Sequence, residues 1–255
     1  MSSSAVMERP TAPPAVQCTV ALSSSPPRPA NLILAALSEE GYAELSGLLE
    51  VYPLRMRETL QEAGDPTDYV YFPTSGIISV LTVLENGMMI EVATVGREGM
   101  TGSPLNLGVT DSNLALVSQV PGEALRMRSE DFLCQREKNP ELMRLLNRYS
   151  GLMLALVAQS AACNRAHHVD ARCARWLLMT HDQAGTDRFP VTQEFLAQML
   201  GVSRPSVAIS AAALQNAGLV TYHRGDMAIL DRSALEELAC ECYAVIAERF
   251  RQFFE

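Results

Sequence analysis

The run Ser203-Arg204-Pro205-Ser206, inside "GVSRPSVAISAAALQNAGLV" (Gly201 to Val220), holds the side chains with the clearest chemical use. The Ser203 hydroxyl can cap a helix, and Pro205 is tolerated in a first turn, where amide N–H groups have no helical partner. With Val207, Ala211 and Leu214 on the buried side, Arg204, Pro205, Ala208, Ile209 and Ala212 face outward. An ordinary surface helix carries Lys and Glu on such a face. An uncharged face with an arginine at its N-terminal end suits the major groove of DNA. There Arg grips guanine O6 and N7 in bidentate fashion, and Ala, Ile or Pro meet thymine methyls. Ser203, Ser206 and the amides of the helix start suit phosphate oxygens.

The elements that must position this face are legible on both sides. Thr192 can cap a preceding helix whose Phe195, Leu196 and Met199 bury one side, and Gly201 ends it where φ must turn positive. The pair is a helix-turn-helix, with Thr192 counted among its DNA-facing residues. After Gly218 two short strands flank His223-Arg224-Gly225-Asp226, and Arg224 at their tip can reach a neighbouring phosphate. A terminal helix follows.

Upstream, residues 1–30 are rich in Ser, Pro and Ala and read as a flexible tail. A helix starting near Glu39, capped by Ser38, leads into a region from about Arg57 to Met127 of short extended runs separated by turn residues. Two β-rich runs around Asn86-Gly87 form its clearest hairpin. Several such strands imply an antiparallel jelly roll. Pro140 then opens a long helix in which Leu142, Leu146, Tyr149, Met153 and Leu156 step alternately by four and three, the spacing of a dimer seam. Leu145, Leu152 and Val157 add a second stripe that can lie on the β unit. The division is therefore tail 1–30, sensor unit 31–139, dimerisation helix 140–167 and DNA-binding unit 168–255, an α+β fold.

Composition narrows the function classes. A net charge of −9 over 255 residues rules out general electrostatic attraction to nucleic acid, so any DNA contact must be local. No apolar run reaches the roughly 18 to 20 residues of a membrane helix, and no secretory signal is read at the N-terminus, so a cytoplasmic protein without membrane contact is expected. The six cysteines are scattered in a way that argues against a disulfide framework. Cys240 and Cys242, taken as helical, point about 200° apart by the helical repeat. His167 and His168, at the hinge after the long helix, could bind metal or haem or sense pH; they read as a solvated hinge pair, and no metal or cofactor is expected. There is no phosphate-binding glycine loop, nucleophile elbow or zinc-protease motif, and no enzyme activity is expected.

Taken together, the Gly turn, Ser-Arg, Leu214 and "NAGLV" leading into a wing resemble the cyclic-AMP receptor protein and fumarate-nitrate regulator (Crp/Fnr) superfamily of bacterial transcription regulators. The resemblance covers roughly residues 31–255. "YFPTSGIISVLTVLENGMMIEVATVGREGM" looks like the cyclic-nucleotide-binding-type β-roll, 140–166 like the dimerisation helix and 190–232 like the winged helix. It implies a homodimer that reads a near-palindromic site on double-stranded DNA and contacts RNA polymerase. Where the receptor-type pocket has Arg-Ser-Ala, this chain has Asn113-Leu114-Ala115, so a buried cyclic phosphate would lack its charge partner. Gating by cyclic AMP is not expected, and the effector stays unassigned. Gly96, Glu98 and Gly99 of "VGREGMTG", with Asn113, either line an effector pocket or only shape a turn. The alternative from another class is a ligand-binding signalling module that acts through a protein partner, docked on the apolar outward helix face.

Overall fold

The computed structural model describes residues 28–255, and most of the tail expected over 1–30 lies outside the described residues. Helix α1 (Leu32–Ala35) precedes α2 (Glu39–Ser46), which starts where expected: Ser38 Oγ accepts from the Gly41 amide at 3.1 Å. Strands β1 (Glu50–Leu54), β2 (Thr59–Gln61), β3 (Tyr69–Pro73), β4 (Ile77–Val83) and β5 (Met89–Val95) follow. A short α3 (Ser103–Asn106) then leads to β6 (Leu114–Val120) and β7 (Gly122–Arg128). Every pairing is antiparallel, in two sheets of order β1-β7-β3 and β2-β6-β4-β5. The hairpin at Asn86-Gly87 is present: Gly87 adopts φ +79°, and the Leu84 amide donates to the Met88 carbonyl at 2.9 Å. The strands enclose a core that includes Val70, Phe72, Ile78, Val95 and Leu116.

Helix α4 (Ser129–Lys138), with no counterpart in the sequence reading, hands over at Asn139 to α5 (Pro140–Ala166), where Asn139 Oδ1 caps the Leu142 amide at 2.9 Å. The second unit runs α6 (Val169–Ala184), β8 (Arg188–Pro190), α7 (Gln193–Leu200), α8 (Arg204–Asn216), β9 (Val220–His223) and β10 (Asp226–Ile229). The expected terminal helix is two, α9 (Arg232–Leu238) and α10 (Cys242–Phe254), because the backbone turns extended at Ala239.

The expected dimer seam is not available to a partner. Leu142, Leu146, Tyr149, Met153 and Leu156 are all buried within the chain, packed on the β-roll core together with Ile246 and Phe253 of α10. The Tyr149 and Phe253 rings meet edge-on with centroids 6.0 Å apart, and Arg148 Nη2 donates to the Phe253 carbonyl at 2.9 Å. Heptad spacing alone does not say which surface a stripe meets, and here α10 and the roll claim it. The second stripe turns inward as well: Leu152 is buried, and Leu145 and Val157 lie half-buried against the same core. Among the residues that α5 leaves outside is a stripe of Asn147, Gly151, Leu154, Ala158, Ala161 and Arg165, again spaced four and three, with Leu154 71% exposed.

The DNA-binding-type unit does not hang free. Leu81 of β4 and Ala115 of β6, both about as buried as core residues can be, join the hydrophobic cluster of Trp176, Leu177, Met199 and Leu200. Polar contacts cross the same interface: Trp176 Nε1 donates to Glu91 Oε1 at 2.8 Å, and Gln119 Nε2 donates to Thr180 Oγ1 at 3.3 Å. Ser79 Oγ lies 2.7 Å from Glu91 Oε2 and 2.8 Å from Gln119 Oε1. One hydroxyl proton cannot serve two acceptors, so a protonated Glu91 donating to Ser79 Oγ completes the set. Burial of the carboxyl between β5 and α6 raises its pKa to about 7, against the pull of the Trp176 hydrogen bond and the Arg175 charge. Since the folded state holds this proton more tightly than the unfolded chain, stability falls as pH rises from the ordinary carboxyl value of 4.5 toward 7. Glu91→Gln, which keeps the shape and removes the ionisation, is expected to flatten that decline and to raise the thermal midpoint at pH 8 but not at pH 4.5; thermal unfolding across pH checks it.

Candidate nucleic-acid interface

The outward face begins with how α7 and α8 are held. Thr192 caps α7, its Oγ1 accepting from the Phe195 amide at 3.2 Å, and Gly201 ends it in the left-handed region at φ +61°. Ser203 then caps α8: its Oγ accepts from the Ser206 amide at 3.3 Å and lies 2.8 Å from Ser206 Oγ. Pro205 sits in the first turn, and no acidic side chain occupies that turn, so the positive end of the helix dipole is unopposed. Val207, Ser210, Ala211 and Leu214 are buried against the rest of the unit.

Arg204 and Pro205 are exposed, Ala208 is half-buried and Ile209 is 72% exposed. The arginine makes no hydrogen bond or ion pair among the described residues, so its guanidinium is free to meet a ligand. The wing pairs β10 with both β9 and β8, the last a strand absent from the sequence reading. Arg224 sits at its exposed tip with φ +52°, held there by a two-residue turn it shares with Gly225. The structure thus brings Ser203, Arg204, Pro205, Ser206, Ala208 and Ile209 onto one helix start, with Arg224 on a separate loop. Thr192 differs: besides its cap, its hydroxyl accepts from Arg57 Nη2 at 2.8 Å. Arg57, a non-glycine residue at φ +62° in the β-roll, escaped the sequence reading because its residue type gives no hint of that backbone or that long-range contact.

Of the two readings left open for Gly96, Glu98, Gly99 and Asn113, the geometry favours the turn over the roll cavity, although Glu98 also borders a smaller cavity of about 240 Å³ beside α6 and α10. A cavity of about 380 Å³ opens inside the roll, lined by Val80, Thr82, Val92, Met100, Leu114, Leu116 and, from α5, Met153, Leu154 and Val157. None of Gly96, Glu98, Gly99 or Asn113 lines it. Glu98 instead ties the loop to α6, accepting from the Gly96 amide at 3.0 Å and from Gln183 Nε2 at 2.7 Å. A Cβ at Gly99 would come within 2.2 Å of the Tyr149 hydroxyl, so that glycine admits α5 rather than a ligand. Asn113 is exposed. The cavity wall has hydroxyls, including Thr101, Ser112 and Ser150, but no charged side chain.

Two family models match the chain: a cyclic nucleotide-binding domain over residues 53–139 and a Crp-like helix-turn-helix domain over 171–238, together more than half of it. The chain belongs to the Crp/Fnr family of transcription regulators. No curated protein matches it in sequence. Among solved structures, FixK2 from Bradyrhizobium japonicum superposes with a TM-score of 0.65 at 16% identity, over 75% of this chain and 98% of that one. The c-di-GMP responsive global regulator CLP of Xanthomonas campestris gives 0.61 at 17% identity, covering 76% of this chain and 100% of its own. TTHB099 of Thermus thermophilus, a transcriptional regulator of the CRP family, gives 0.62 at 21%, over 74% and 96%. At these identities the likeness is one of fold: roll, long helix and helix-turn-helix in the same order. Crp/Fnr proteins are transcription regulators with a helix-turn-helix DNA-binding domain, and α7 and α8 are that element here. Among the described residues no helix is long and apolar enough to cross a membrane.

The roles of the α8 start separate by stability. Ser203→Ala removes the cap and is expected to cost about 1 kcal/mol. Arg204→Ala removes an exposed, unpartnered side chain and should stay within about 0.5 kcal/mol of the parent. Chemical denaturation of the two variants checks this.

Proposed function

We propose that the chain is a homodimeric, sequence-specific regulator that reads a near-palindromic site on double-stranded DNA with α8, and that it does so without cyclic AMP. The observation that carries this is the α8 face: a capped helix start, one free arginine, and an uncharged surface ending in Ile209. Arg204 reads a guanine, Pro205, Ala208 and Ile209 meet thymine methyls, Ser203 and Ser206 take phosphate oxygens, and Arg224 grips a phosphate beyond. Thr192 joins them once Arg57 releases its hydroxyl. RNA polymerase is the protein partner at the promoter, the cytoplasm is the place of action, and no catalytic step belongs to the chain.

The uncharged wall of the roll cavity supports the absence of cyclic AMP, since an enclosed phosphate needs a cation or a set of donors there. It suits a largely apolar effector that can satisfy a few hydroxyls. Dimerisation runs along Asn147, Gly151, Leu154, Ala158, Ala161 and Arg165, whose small residues allow two α5 helices to approach closely. Leu154 lies both on this stripe and in the cavity wall, which puts an effector next to the partner helix.

Selection of binding sites from a random duplex pool with purified protein tests the reading. Two half-sites about one helical turn apart, each with a fixed guanine, are expected; an empty pool without and with cell extract would favour a protein-docking role instead. Arg204→Ala should lose about 1–3 kcal/mol of discrimination at one base pair per half-site, whereas Arg224→Ala should weaken all sequences equally and lower the salt slope by about one. A Cβ at Gly151 meets nothing within 4 Å in the chain, so Gly151→Leu should leave the fold intact and block the partner. Sedimentation velocity is expected to show a dimer for the parent and a monomer for this variant.

A further inference from the structure

The end of α5 and the break between α9 and α10 bring together a set of donors that the DNA-reading surface does not use. Cys163 and His167 close α5, Cys240 lies in the break, and Cys242 opens α10. The thiol sulfurs and one ring nitrogen all lie within 4.8 Å of one another. Read as one continuous helix, Cys240 and Cys242 diverge; the extended backbone at Ala239 is what turns both thiols toward α5. We propose that these four residues form a binding site for a single thiophilic divalent cation, Zn²⁺ in the first instance, held by three thiolates and one imidazole.

Distances fit a single ion. Tetrahedral Zn²⁺ at about 2.3 Å from sulfur and about 2.0–2.1 Å from nitrogen sets donor-to-donor edges of about 3.5–3.8 Å. Cys163 Sγ and Cys240 Sγ are 3.5 Å apart, and Cys242 Sγ is 3.7 Å from His167 Nδ1. The remaining pairs need to close by no more than about an ångström. An iron-sulfur cubane binds its thiolates to separate irons and needs them spread farther apart.

Two further observations point the same way. His167 Nε2 lies 3.1 Å from a Glu241 carboxylate oxygen, which fixes the tautomer with Nε2 as donor and leaves the Nδ1 lone pair facing the thiols. A carboxylate behind the histidine is the usual support of a metal-bound imidazole. The second observation is charge. Arg172 and Arg175 are buried beside the cluster and act electrostatically on Cys163, yet their Nε atoms have no hydrogen-bond partner and neither forms an ion pair among the described residues. Their terminal nitrogens donate only to the Leu200 carbonyl and to the Met179 sulfur. Buried cations call for an anion, and Zn²⁺ with three thiolates carries net −1. Glu91, whose charge reaches Arg175, has its pKa raised to about 7 by burial, so it is only partly ionised at neutral pH. Loading releases the thiol protons to solvent as the thiolates bind, with no change of oxidation state.

The ligands bracket the whole helix-turn-helix and wing in sequence, two before α6 and two after α9, so the ion clasps both ends of that unit to the end of α5. The site stands apart from the DNA reading, and its test does not depend on it. Full-length chain, reduced and stripped with a chelator, is titrated with Co²⁺ and then Zn²⁺. Saturation at one Co²⁺ per chain is expected, with the visible bands of tetrahedral thiolate-bound cobalt, displacement by Zn²⁺ and a raised unfolding midpoint. Cys242→Ser should abolish the bands, and His167→Ala, at a half-exposed position that leaves the fold intact, should weaken binding by about a hundredfold or more. If Cys242→Ser does not fold, His167→Ala decides. Absence of tetrahedral cobalt bands in the reduced parent, bands unchanged in both variants, or a Cys163–Cys240 disulfide that persists under reductant in place of metal uptake would each overturn the proposal.

Discussion

The sheet β2-β6-β4-β5 is the constraint on which the rest depends, because both of its faces are in use. Side chains alternate along a strand, so neighbours go to opposite sides. In β4, Ser79 and Leu81 face α6 and α7 while Val80 and Thr82 line the cavity; in β6, Ala115, Val117 and Gln119 face the helices while Leu114 and Leu116 line the cavity. A shift of one residue in register would exchange the two sets and destroy both surfaces at once. The roll cavity and the seat of the helix-turn-helix unit are therefore two sides of one layer, and a change in strand position on one side is carried to the other without any intervening chain of contacts.

Much of this was legible in the sequence where local chemistry decides structure. Ser38, Thr192 and Ser203 cap the helices they precede, Gly87 and Gly201 take the positive φ their turns need, and Arg204, Pro205 and Ile209 face outward as helical spacing required. Such features depend on residues within a few positions of each other, and their physics is complete in the segment itself. The family resemblance rested on the same segments, and the matched domains lie where those segments are.

What stayed hidden depends on partners far along the chain. Heptad spacing in α5 showed that a stripe is buried but not by what, and the answer came from α10, about a hundred residues away, through Tyr149 and Phe253. Local sequence leaves Gly99 open between a ligand loop and a turn, and only the fold shows it as the gap that admits the Tyr149 hydroxyl. Arg57 has no local signature at all, yet it reaches the cap of α7. The Cys240–Cys242 pair is hidden for a different reason: helical spacing carried through this segment does not reveal that the helix breaks at Ala239.

Leu154 belongs to two surfaces, the wall of the roll cavity and the outward stripe of α5. In the proposed homodimer that makes it common property of the pair. A molecule settling in one roll moves a side chain against which the other subunit packs, and by symmetry the reverse holds as well. Occupancy of the two cavities is then thermodynamically linked, and the response to effector concentration is steeper or shallower than simple saturation according to whether the first event tightens or loosens the helix pair.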